Sequence, residues 1–128
     1  MGNPRHSGGC LCGHIRFEAS GAPGNPYGCS CTCCQRHSGA PTLSWVEFAR
    51  SSLRWTGVGG MPTLYRSTDD SSRAFCPRCG STRGAVDDQP TVALAVGGFD
   101  DATLPELQPS SHSFVDGCPG GWKVEGMR

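Results

Sequence analysis

Nine cysteines in 128 residues carry the chemistry open to this sequence, and they are grouped. Cys10 and Cys12 form one pair, Cys29, Cys31, Cys33 and Cys34 a dense run, Cys76 and Cys79 a second pair, and Cys118 stands apart. Zinc takes soft thiolate donors about 2.3 Å away, and C-x-C or C-x-x-C spacing delivers two of them from one tight turn. Cys76-Pro77-Arg78-Cys79-Gly80 reads as such a knuckle. Pro77 pre-sets a turn dihedral, and Gly80 can take the positive φ that curls the chain past a metal. Cys10-Leu11-Cys12-Gly13, again closed by glycine, offers the other half of a tetrahedral site. We therefore expect Cys10, Cys12, Cys76 and Cys79 to hold a closed, structural zinc. A redox C-x-x-C is the weaker alternative, because the βαβ setting of thioredoxin-like motifs is missing.

The run Cys29-Ser30-Cys31-Thr32-Cys33-Cys34-Gln35-Arg36-His37 has no second cysteine pair left to complete it. Three protein ligands with an open fourth position is the pattern of catalytic zinc. Two ligand sets are possible: an extended strand puts Cys29, Cys31 and Cys33 on one face, whereas a turn after Cys31 brings in Cys34 instead. Three thiolates around the dication leave a formal charge of about −1, which disfavours making hydroxide from bound water. A thiol, softer and more acidic, is the natural fourth ligand, and its sulfur could attack a carbonyl carbon. Arg36 is a candidate partner for a substrate carboxylate, and His112 or His37 a candidate proton carrier to the developing alkoxide. Trp45, Trp55 and Trp122 read as core rather than pocket lining.

The elements that must position these groups are short. Hydrophobic residues are 36% of the chain while 19 residues are Gly and 10 are Pro, which favours a mainly β, loop-rich fold in one domain spanning residues 1–128. Alternation predicts strands at 14–19, 42–48, 53–57, 63–66, 91–96, 112–115 and 122–124, a break at 21–26, and one helical turn at 34–38. In the strand at 91–96, Val92, Leu94 and Val96 should share one face, with Ala93 and Ala95 on the other. Lys+Arg 11 balances Asp+Glu 11, so no net field favours nucleic acid or an anionic membrane surface. No apolar h-region or spanning segment is present, and the expected compartment is the cytoplasm, where reduced cysteines bind metal rather than pair. The sequence leaves the oligomeric state open.

In this order the motifs resemble the family of glutathione-dependent formaldehyde-activating enzymes, which includes centromere protein V. Gly9-Cys10-Leu11-Cys12-Gly13 resembles its opening G-x-C-x-C-G, and Cys29-Ser30-Cys31-Thr32-Cys33-Cys34 its C-x-C-x-x-C, continued by Ser38-Gly39-Ala40-Pro41. The knuckle Phe75 to Ser81, then Gly97-Gly98-Phe99-Asp100, His112 and Trp122 follow in family order. The resemblance implies a β-tent of several small coiled antiparallel sheets stapled by zinc, with two zinc ions per chain. It assigns the catalytic ion to Cys29, Cys31 and Cys34. The implied activity is that of a carbon–sulfur lyase read in reverse, joining glutathione to formaldehyde as S-(hydroxymethyl)glutathione; the rival reading is a non-catalytic zinc-stabilised binding module. Two positions depart from the family pattern: Cys33 is an additional thiol, and Thr82-Arg83-Gly84 replaces a more apolar stretch.

Overall fold

The computed structural model describes residues 4–120. Strands β1 (Arg5–Gly9), β2 (Arg16–Ser20) and β5 (Leu53–Trp55) make a three-stranded antiparallel sheet in the order β1-β2-β5. The remaining strands are β3 (Gly24–Cys29), β4 (Leu43–Ala49), β6 (Thr63–Thr68), β7 (Ser71–Phe75), β8 (Thr82–Asp87), β9 (Thr91–Ala95) and β10 (His112–Ser113). They form a seven-stranded sheet ordered β10-β3-β4-β9-β8-β7-β6, antiparallel throughout except where β10 runs parallel to β3. One α-helix, α1 (Thr32–Ser38), occurs among the described residues, and none of their helices is long and apolar enough to cross a membrane.

The mainly β expectation holds, and β9 divides the core as its alternation predicts. Val92, Leu94 and Val96 pack on one side with Phe17, Val46, Phe48, Phe99 and Leu107. Ala93 and Ala95 pack on the other with Trp45, Ala85, Cys29 and Cys34. Small alanines leave room there for the indole of Trp45, which is 1% exposed and forms the floor beneath the dense cysteine run.

Three expectations need correction. The break at 21–26 is shorter than predicted: β3 begins at Gly24, and the register with β4 shifts between Gly24 and Tyr27, with Asn25 at φ 48°. That bulge lets Pro26, which has no N–H to donate, sit inside a strand. The single helical turn is instead seven residues long, because Cys31 acts as its N-cap, its sulfur accepting from the Cys34 N–H at 3.2 Å. The strand expected at 112–115 stops at Ser113, and Val115–Gly117 is a 3-10 turn. The strand expected at 122–124 lies outside the described residues.

Gly8 fixes how closely β1 packs on the chain around Phe99, with which it forms an isolated antiparallel bridge. A Cβ at this position would collide with the backbone oxygen of Gly98 and lie 2.7 Å from the Phe17 ring. Gly8→Ala should therefore cost about 1–3 kcal/mol, the usual range for overpacking, and lower the thermal midpoint by several degrees in a melting experiment.

Candidate metal centres

The two distant cysteine pairs meet. Cys10 and Cys12 occupy the turn between β1 and β2, whereas Cys76 and Cys79 occupy the turn between β7 and β8, so the quartet joins the two sheets. All four sulfurs lie within 4.8 Å of one another. A tetrahedron with 2.3 Å arms has edges of about 3.8 Å; the Cys10–Cys12 sulfurs are 3.7 Å apart and the Cys12–Cys76 sulfurs 3.8 Å. Both turns are closed by glycines in the left-handed region, Gly13 at φ 81° and Gly80 at φ 78°, as the sequence demands.

Backbone and hydroxyl donors surround the quartet. Ile15 N–H donates to Cys10 Sγ at 3.2 Å, and Arg78 N–H to Cys76 Sγ at 3.4 Å. Ser81 links the halves: its Oγ is 3.1 Å from Cys79 Sγ and accepts from Leu11 N–H at 3.1 Å. Hydrogen bonds from the Ser81 hydroxyl and backbone hold the Cys79 thiol down at about 5, so it is a thiolate at neutral pH. Donor set and spacing suit zinc.

The second cluster is local. Cys29 ends β3, Cys31 caps α1 and Cys34 lies in its first turn, and their three sulfurs also lie within 4.8 Å of one another. The chain thus turns after Cys31 and brings Cys34 to Cys29 and Cys31, while Cys33 lines a neighbouring cavity. No further His, Cys, Asp or Glu among the described residues joins this trio. Ser30, 1% exposed, is pinned by Ser113 through its N–H at 3.0 Å and by the side chain of Gln35, which donates to its carbonyl at 2.7 Å. The Cys29 thiol hydrogen-bonds Cys34 and, with help from Cys31 and Arg73, brings Cys34 down to about 5; Cys29 is pushed up in exchange.

A cavity of about 410 Å³ opens beside the trio. Its walls are Cys33, Arg36 and His37 from α1 and Tyr65, Ser67, Arg73 and Phe75 from β6 and β7, with two guanidinium groups and no carboxylate. Burial and the charge of Arg73 lower the pKa of His37.

The model of the family described as glutathione-dependent formaldehyde-activating enzyme matches residues 5–117. The chain belongs to that family. It is also similar in fold to the crystal structure of a Rhodobacter sphaeroides protein, with a TM-score of 0.61 and 24% identity over 77% of this chain and 91% of that one. The family connection gives the chain a glutathione-related, formaldehyde-activating context in which the two cysteine clusters are candidate zinc sites.

Within this formaldehyde-activating family member, the non-cysteine candidates separate. Arg36 reaches the cavity wall from α1. His112 is not among the residues lining that cavity; its Nε2 is 2.7 Å from Ser30 Oγ and 3.4 Å from Thr42 Oγ1. Those contacts tie it to the loop between Cys29 and Cys31. Sequence reasoning missed Arg73 and Arg83. Arg73 donates from Nη1 to Cys34 Sγ at 3.5 Å, and Arg83, only 8% exposed, hydrogen-bonds the Gly9 carbonyl beside the quartet. The departure at Thr82-Arg83-Gly84 thus puts a buried cation next to the sulfurs of Cys10, Cys79 and Cys76, whose negative charge when ligating a metal offsets part of its desolvation.

Proposed function

We propose that this chain is a zinc-dependent carbon–sulfur lyase acting on glutathione or another thiol adduct, in the manner of S-(hydroxymethyl)glutathione synthase. The observation that carries this reading is the trio: three sulfurs within 4.8 Å and no fourth His, Cys, Asp or Glu among the described residues. A zinc ion held by Cys29, Cys31 and Cys34 would supply one thing, the acidification of a thiol at its fourth position. A second ion at Cys10, Cys12, Cys76 and Cys79 would be structural, stapling the two sheets into one unit. The thiolate ligands suit a reducing compartment such as the cytoplasm.

The chain's own residues then bind and orient. Arg36 pairs with a substrate carboxylate in a cavity free of competing acids. His112 or His37 would pass a proton to the carbonyl oxygen as the carbon–sulfur bond forms; His37 lines the cavity, with both ring nitrogens buried and without a hydrogen-bond partner among the described residues. The thiol proton ends on that oxygen, giving an S-hydroxymethyl adduct; the reverse step returns aldehyde and thiol. His112, through Ser30, keeps the trio in register.

Zinc-edge X-ray absorption tests this on the zinc-loaded protein. With one four-sulfur and one three-sulfur site, the mean is about 3.5 sulfurs per zinc, rising to about 4 when glutathione is added. Two zinc ions with no added sulfur would mark a scaffold and end the enzymatic reading.

A further inference from the structure

Arg73 is tied to the trio by geometry that no ligand motif announces. It lies on β7, paired with Tyr65 of β6 and Ala85 of β8, so its backbone is placed by the sheet and not by the cysteine loop. From there its guanidinium reaches across 39 positions of sequence to donate to Cys34 Sγ at 3.5 Å. Its carbon centre sits 5.4 Å from the centroid of the buried Trp45 ring, a cation–π contact that fixes the plane of the fork. The ion pairs among the described residues do not include Arg73, and its buried Nε has no hydrogen-bond partner among them. The same side chain lines the cavity.

A three-thiolate zinc site is formally about −1, and an incoming thiolate makes it about −2. The trio itself offers no cation to offset that gain. A guanidinium held against one ligand sulfur does, and its N–H donation also keeps that sulfur oriented toward the ion. Lysine could bring the charge but not the planar fork that lies on Trp45.

We propose that Arg73 is a positioning residue for the trio: it orients Cys34 as a metal ligand and compensates the charge of a fourth, anionic sulfur. This rests on the reading of the trio as a zinc site, and the test separates the two. The probe is cobalt(II) loaded into the full chain, followed by metal counting, chelator competition and the thiolate-to-cobalt charge-transfer bands. Arg73→Gln should bind the second cobalt about 10–100-fold more weakly, the usual effect of losing an outer partner of a metal ligand, while the quartet keeps wild-type affinity. Arg73→Lys should fall between, with its charge-transfer band displaced, and Arg54→Gln, an exposed control on β5, should match wild type. Unchanged second-site affinity and bands in Arg73→Gln would overturn the proposal. Should that variant not fold, an undisplaced band in Arg73→Lys overturns it equally. A wild-type chain that takes up only one cobalt would instead remove the zinc reading of the trio, and this inference with it.

Discussion

Cys79→Ala is expected to yield an unfolded or insoluble chain. The quartet brings together turns 64 residues apart and joins the two sheets. Structural zinc in such a site contributes roughly 10–16 kcal/mol of apparent binding free energy, against about 5–15 kcal/mol of net stability for an ordinary domain. Losing one of four thiolates therefore removes a quantity comparable with the whole margin. The surroundings make it worse, because Arg83 is buried beside these sulfurs and its cost of burial is partly met by their negative charge. A strong chelator should reproduce the effect on the unaltered protein, with far-UV circular dichroism losing its β signal as zinc leaves. A soluble Cys79→Ala protein with an unaltered spectrum and a cooperative melt near the wild-type midpoint would show that the quartet does not hold the sheets together.

The contrast between legible and illegible features follows from what spacing encodes. Cys76-Pro77-Arg78-Cys79-Gly80 announces itself because ligand spacing, a turn-setting Pro and a glycine at positive φ are all local, and β9 does so because its valines and alanines alternate. Strands β7 and β8 were not anticipated. Ser71-Ser72-Arg73 and Thr82-Arg83 look like solvent-facing polar stretches, yet Ser72 and Arg83 are buried. For Arg83 the compensating sulfurs and the Gly9 carbonyl are supplied by distant segments, which no window of sequence displays. The same holds for Arg73, whose value lies in reaching Cys34 from another strand. The run Cys29 to Cys34 sits between these cases: the sequence limits the trio to two sets, and the choice turns on whether Cys31 caps a helix. His112 is positioned by non-local pairing as well: β10 lies parallel to β3 and brings its ring to Ser30 and Thr42, which no local spacing displays.

Cys34→Ala should have the converse phenotype to Cys79→Ala, a folded protein without the chemistry. The trio's ligands come from one short segment, Cys29 to Cys34, so an ion there closes almost no loop that the β3–β4 pairing and the segment around His112 do not already restrain. Truncating a 2% exposed thiol beside Trp45 leaves a small cavity, with a stability loss of about 1–2 kcal/mol and a midpoint only a few degrees lower. Zinc content should fall from two ions per chain to one. Formation of S-(hydroxymethyl)glutathione from glutathione and formaldehyde should drop by about 100-fold or more, since even partners outside the ligand shell contribute about 10–100-fold. Under the proposed function the two variants divide the labour: the cluster that spans the sheets would answer for stability and the local one for reactivity. Turnover surviving in Cys34→Ala would place the chemistry elsewhere, and a collapse of the fold equal to that of Cys79→Ala would mean both clusters are staples.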